Sequence, residues 1–353
     1  MKRLKLLLTF DYELPLGGIT RSFGHSLFEP VERLADILHR LKVSAVFFAD
    51  ILSYVRFKEL NVNEYTGIFE KQLRQMLMAG HDVQLHLHPH WLESRYEHGK
   101  IITSPKFKLG DYAISEGEYT IEKIVECGVS ELTGICKPVK QAYRCIAYRA
   151  GGYNFVPETG RIIKALYNNG IRFDSSVSRG YFFRSDTSLV DYREVPDLPN
   201  WYLSTDGEFG KPGFENENTL YEIPIASKPK GVFEIPTVLK LKLKKYASRS
   251  VEERGYMIHT GEHVDKKDKI RQFFSSRMLT VDNHTYSPAY LMKILDYNVR
   301  RFMKHDEIIM SLIGHPKSLG EYHYFLLSEF VRQAAKKYGS KLEFVTFDEI
   351  KSS

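Results

Sequence analysis

Buried-strand and amphipathic-helix patterns alternate along most of this chain, and that alternation limits the fold more than any other feature of the sequence. "LKLLLTF" (4–10) reads as a buried strand, and "PVERLADILHRLK" (30–42) follows with Val31, Leu34, Ile37, Leu38 and Leu41 at helical spacing. A second strand, "VSAVFFAD" (43–50), precedes a helix at 64–80, a strand "DVQLHLH" (82–88) and a helix within 116–136. The spacing then predicts a strand near 142–149, a helix over 157–170 that opens on proline and closes on glycine, and a short strand at 171–177. After a break, order resumes with a helix at 288–305, a strand at 307–314, a helix across 325–338 and a last strand at 342–347. Strands joined by helices must lie parallel, and seven or eight such units favour a sheet closed on itself. The fold class expected is therefore α/β: a distorted (β/α)7-8 barrel with parallel strands and a long insertion after the fifth strand.

The break runs from 178 to 286, where Gly, Pro, Asn and aromatic residues replace the periodic pattern and "LYEIPIA" (220–226) is the one clear strand. The expected organisation is a single barrel over 1–353 with elaborated loops at 178–286. Its 353 residues, 43% of them apolar, suffice for a large core. A formal charge of +6, with 44 acidic residues interspersed among 50 basic ones, offers no field built for nucleic acid. The densest basic run, "KLKLKKYASR" (240–249), reads as a solvated face. Cys127, Cys136 and Cys145 are too few and too far apart for a disulfide framework, so reduced buried thiols are expected. The start, "MKRLKLLLTFDYE", has too short an apolar run for a signal peptide, and no run approaches the eighteen residues a membrane span needs. These features point to a soluble protein of the cytoplasm, with self-association left open.

In a parallel barrel the reactive groups collect at the carboxyl ends of the strands. Asp11 and Glu13, two apart in "TFDYE", project the same way, and Tyr12 points away. In the third strand Gln84, His86 and His88 share one face, Pro89 ends the strand, and His90 follows on the turn. Two imidazoles and a carboxylate with open positions form a common catalytic site for one divalent metal ion, with zinc first among the candidates.

The motifs "TFDYE", "GHDVQLHLHPH", "YRAGGY", "FDSSV" and "LIGH" occur in the order and at the strand positions of the polysaccharide deacetylase family, the NodB-homology carbohydrate esterases, which this chain resembles over 4–177 and 288–347. The resemblance implies a hydrolase of C–N amide bonds that removes an acetyl group from an N-acetylated sugar. It makes Asp11 the general base and Glu13, His86 and His90 the metal ligands. Arg149 resembles the arginine that keeps the base ionised, His315 resembles the general acid, and Asp174 would orient and charge that histidine. Chemistry supports these roles: a metal lowers the pKa of bound water, a carboxylate takes the proton, and the amine leaves only when protonated. A backbone N–H near Gly152 or Tyr153 would help hold the oxyanion.

His88 shares the face of His86, and either replaces a ligand or lines the pocket. Trp91, with Trp201, Tyr202 and Phe209, could stack on sugar rings, although core packing is the commoner use of such residues. "HTGEH" (259–263) has metal-like spacing but reads as a polar loop. The sequence departs from the family at Tyr12, where a second aspartate is common, and at "AGG", where proline and an aromatic usually follow the arginine. The implied pathway is surface polysaccharide biosynthesis, with a small-molecule or lipid-linked sugar as substrate. Two rivals are a barrel amidohydrolase cutting a small non-sugar amide or ureide, and an inactive glycan-binding protein that kept the fold.

Overall fold

The structure, a computed structural model, describes residues 3–15, 22–97, 100–114, 117–185, 187–230 and 265–350. The basic run at 240–249 and the "HTGEH" segment lie outside these residues. Strands β1 (Arg3–Tyr12), β2 (Val46–Asp50), β3 (Asp82–Leu87), β4 (Ala147–Ala150), β5 (Phe173–Asp174), β6 (Tyr221–Glu222) and β7 (Glu307–Gly314) form the barrel wall. They pair in parallel, in the spatial order β6-β5-β4-β3-β2-β1-β7. The circle closes because the chain just past β6 reaches β7: Ser311 N–H donates to Pro224 O at 3.0 Å, and Ala226 N–H donates to Ser311 O at 2.9 Å. Higher up, Leu279–Val281 takes the same edge, with Ile313 N–H donating to Leu279 O and Val281 N–H to Ile313 O. A short strand, β8 (Leu342–Phe344), lies beside the start of β1. This is the distorted parallel barrel that the alternation implies.

Helices α1 (Glu29–Leu41), α2 (Ile51–Glu59), α3 (Asn63–Met78), α4 (Ile121–Cys136), α5 (Thr159–Asn168), α6 (Lys266–Phe274), α7 (Pro288–Arg301) and α8 (Glu321–Tyr338) accompany the strands. The α1 helix shows why these segments are helical: Pro30 stands in its first turn, Val31, Leu34, Ile37 and Leu38 make one buried stripe, and Lys42 ends it in a left-handed conformation. Ser287 caps α7, its hydroxyl accepting from Tyr290 N–H at 3.2 Å. Periodicity gave no sign of α2, because the first five residues of "ILSYVRFKE" are buried in succession and its exposed residues fall only at the end, so no polar face sets a helical period. No helix among the described residues is long and apolar enough to cross a membrane.

The barrel interior is layered. Leu7, Val46, Phe48, Ala147, Phe173, Ile223 and Ile309 form an apolar plug with Phe347 and Ile350, which fold in beneath them after β8. One pleat higher, four of the strands turn polar. Period-two alternation carries β1 from Leu7 to Thr9 and Asp11, β4 from Ala147 to Arg149, the β5 segment from Phe173 to Ser175, and β7 from Ile309 to Ser311. The Arg149 guanidinium lies 4.6 Å from the ring centroid of Phe48, at the boundary between the two layers.

Candidate active site at the strand tips

Asp11 and Glu13 rise from the end of β1, both nearly inaccessible to solvent. Arg149, fully buried on β4, donates from Nη1 to Asp11 Oδ1 at 3.1 Å. Its Nη2 donates to Thr9 Oγ1 at 3.0 Å and to Ser175 Oγ at 3.2 Å. Three strands thus fix one guanidinium, and Asp11 is left with Oδ2 facing the open end of the barrel. That oxygen is 3.5 Å from His315 Nε2 and 4.0 Å from His86 Nε2. Tyr12 turns outward, its hydroxyl donating to Gln72 Oε1 on α3 at 2.9 Å.

Glu13 divides its two oxygens. Oε2 abuts His88 Nε2 and lies 3.3 Å from His86 Nε2, whereas Oε1 receives the ammonium of Lys317 at 2.9 Å. Burial alone would raise the pKa of Glu13, but Lys317 and the two imidazoles hold it well below the usual range. His86 donates from Nδ1 to Arg149 O at 2.8 Å, which leaves the Nε2 lone pair of the neutral ring aimed at the carboxylates. Burial works against the charge on His86, but Asp11 and Glu13 outweigh it, and its pKa is pushed up to about 9.

The three histidines part ways for a local reason. His88 keeps an extended backbone and so continues the β3 alternation beside His86, whereas Pro89 starts a tight turn that carries His90 away. The ligand atoms of Glu13, His86 and His88 lie within 4.8 Å of one another, and those of Asp11, Glu13 and His315 form an overlapping group. His90, expected to be a ligand, joins neither group. Its ring stacks on Phe107 at 4.9 Å and packs against Trp91. Both of its ring nitrogens are buried without a hydrogen-bond partner, 5.4 Å from the His88 ring between centroids.

The pairing expected between His315 and Asp174 is overturned. His315 Nδ1 is hydrogen-bonded to Asp282, which sits just past the Leu279–Val281 edge. Burial opposes the charged form of His315, but Asp282 first, then Asp11 and Glu13, raise its pKa above the usual imidazole value. Asp174 is excluded by the pleat: Phe173 faces the barrel interior, so its neighbour must face outward. There its oxygens accept from Ser176 N–H and Oγ–H, each at 2.8 Å, beside the buried Glu222. Burial raises the pKa of Asp174, and burial together with the Asp174 charge raises that of Glu222.

Trp91 packs in the core rather than serving as a sugar platform. Its ring is fully buried against Phe57, and its Nε1–H donates to Asp50 Oδ2 at 2.5 Å. Trp201 is likewise a core residue. Tyr153, in contrast, lines a cleft of about 430 Å³ with Tyr181, Thr280, Asp282, Asn283, His315 and Lys317. The "AGG" segment has a packing reason at this point. A Cβ on Gly151 would lie 2.4 Å from Leu87 O and 2.9 Å from His88 Nδ1, so only glycine lets the chain pass behind that imidazole. Gly152 (φ 57°) and Tyr153 (φ 62°) then turn the backbone toward the cleft.

Three residues of the site escaped sequence reasoning. Asp50 ends β2, accepting from His88 N–H at 3.2 Å, and burial lifts its pKa to about 6. Its position at a strand tip, "VFFAD", was the available signal. Asp282 and Lys317 gave none beyond lying near "LTV" and "LIGH".

Among the described residues this is an α/β barrel of seven parallel strands whose tips bury carboxylates, imidazoles, an arginine and a lysine around one opening. No family model matches the chain, and neither does any curated protein sequence. Solved structures do match in shape. A candidate polysaccharide deacetylase from Mycobacterium smegmatis superposes with a TM-score of 0.50 at 13% identity, covering 99% of this chain and 88% of the other. The Puue allantoinase superposes with a TM-score of 0.50 at 12% identity, covering 99% and 89%. The chain has the barrel fold of these proteins, in agreement with the resemblance carried by its strand-tip motifs.

Proposed function

We propose that this protein is a metal-dependent hydrolase that removes an acetyl group from an N-acetylated sugar. The observation that carries the reading is the meeting of Asp11 Oδ2 and His315 Nε2, 3.5 Å apart, directly above the Glu13–His86–His88 group. A base and an acid this close, each oriented from behind by a separate partner, are what amide hydrolysis requires.

The donor set suits a divalent cation: one carboxylate oxygen and two imidazoles within mutual reach, with the orphaned nitrogens of His90 alongside. In this reading Glu13, His86 and His88 hold the ion, which supplies Lewis-acid polarisation of the acyl oxygen and lowers the pKa of water. Arg149 keeps Asp11 Oδ1 occupied, so Oδ2 is the atom that accepts the proton of the attacking water. His315, held by Asp282 through Nδ1, presents Nε2–H to the departing nitrogen, which leaves as an amine. The turn at Gly152 and Tyr153 sets backbone N–H groups beside the developing oxyanion. The hydroxyl and amide groups of Tyr153, Tyr181, Thr280 and Asn283 offer a sugar aromatic faces and hydrogen bonds. A small-molecule or lipid-linked precursor of a surface polysaccharide is the substrate class proposed.

The test is acetate release by zinc-loaded protein from a panel of N-acetylated sugars, with allantoin as a ureide arm. The reading predicts acetate from at least one sugar, and loss of that signal in Asp11→Asn. Equal, slow release by both proteins would favour a binding protein, and turnover of the ureide alone would favour an amidohydrolase.

A further inference from the structure

Lys317 is an unusual tenant of a metal-ligating site. Its side chain is 2% exposed. It reaches under the turn Pro316–Ser318, whose backbone is closed by Ser318 N–H donating to His315 O at 2.8 Å. The ammonium contacts Glu13 Oε1 at 2.9 Å and donates to Leu14 O at 3.2 Å. Glu13 therefore gives Oε1 to the Lys317 ammonium, with His315 Nε2 at 3.7 Å from the same oxygen, and keeps Oε2 for His86 and His88.

The charge pattern around the opening gives this contact its meaning. Asp11 and Glu13 each have a dedicated cation, Arg149 and Lys317 respectively, so the two carboxylates contribute no net negative charge to the site. A buried positive charge on the far oxygen of a ligand carboxylate weakens that ligand's hold on a dication and repels the dication directly. It also keeps Glu13 in place when no ion is bound, since a buried carboxylate without a partner is costly.

We propose that Lys317 is a positioning residue that competes with a divalent cation for Glu13, holding the site folded without metal and setting how weakly the metal is bound. This rests on the metal-dependent reading given above. Two consequences oppose each other in sign, and that opposition separates this role from plain structural support. Removing the ammonium destabilises the metal-free protein, yet it strengthens metal binding. A lysine that merely braced Glu13 would weaken both when lost.

The experiment is zinc titration against a competing chelator at pH 7.5, with thermal melts with and without zinc, on wild type and Lys317→Met. The expected outcome is zinc affinity about tenfold to a hundredfold tighter in Lys317→Met, the size of effect a close charge has on a neighbouring group. Its metal-free melting temperature should fall, and the gap to wild type should shrink once zinc is added. Lys317→Gln should shift in the same direction. If Lys317→Met fails to fold alone, refolding with zinc should recover it, because the dication replaces the lost charge beside Glu13. Unchanged or weaker zinc binding in folded variants, or no recovery by zinc, would overturn the inference and leave the functional reading standing. A wild type that binds no zinc would overturn both.

Discussion

The lower and upper halves of the barrel interior are built from the same strands and obey opposite rules. Below, Leu7, Val46, Ala147, Phe173 and Ile309 pack around Phe347, with Asp82 and Gln84 of β3 the polar exceptions, bonded to one another and to the Phe347 and Ala147 N–H groups. Above, the next inward positions are Thr9, Asp11, Arg149, Ser175 and Ser311, hydrogen-bonded across the barrel. Burial and charge decide protonation outside this interior as well as within it. His81, just before β3 and packed on Phe47 on the outer face of the sheet, is driven down to about 4 by burial and then by His39, whereas His86, five residues on and facing inward, is pushed up to about 9 because carboxylates outweigh its burial. The apolar half supplies stability, and the charged half spends it on pre-arranged electrostatics.

Substitutions on β1 should separate the halves most sharply. Asp11→Asn should lower turnover per folded molecule about 10³-fold, the usual worth of a general base, and it should also lower the melting temperature because Arg149 is left buried without its counter-charge. Leu7→Ala, four residues away, should cost stability alone: a loss of about 3 kcal/mol in denaturant unfolding from the cavity, with turnover per folded molecule unchanged. Comparable losses of activity in both variants would break the division.

The acid side comes next. Asp282→Asn should cut turnover about tenfold to a hundredfold, and it should move the alkaline limb of the pH–rate profile to lower pH. The sign follows from His315, whose acid form Asp282 stabilises, so without that carboxylate the proton is lost at lower pH. Asp174→Asn should leave the limb in place, and a limb that moved only in Asp174→Asn would restore the pairing read from the motif.

The smallest effect concerns His81. A buried imidazole with a lowered pKa favours folding above its unfolded value near 6.5, and this contribution is lost as pH falls toward about 4. Wild type should therefore lose about 1 kcal/mol more than His81→Asn between pH 7.5 and 5.5, measured by urea unfolding. Parallel losses in the two proteins would contradict the reading of His81 as a neutral buried imidazole.

The sequence announced the barrel because each strand's apolar run and each helix's stripe are local patterns. It announced Asp11, Glu13 and His86 because strand alternation fixes which side chains share a face. It failed where the answer lay between segments. His88 and His90 are told apart by where Pro89 bends the chain, and Asp174 by which neighbour faces inward in a two-residue strand. Asp282 and Lys317 come from loops whose path is set by barrel closure, so nothing in their own neighbourhood points to His315 or Glu13. For Trp91 the sequence left both uses open, because an aromatic beside histidines reads the same whether it packs outward or inward.

The most direct test of the central claim is the X-ray absorption spectrum of the zinc-loaded protein. The account predicts a nitrogen and oxygen shell at about 2.0–2.1 Å with outer-shell scattering from two imidazoles, reduced to one in His88→Ala and unchanged in His90→Ala. A spectrum without imidazole scattering, or one that loses an imidazole only in His90→Ala, would contradict it.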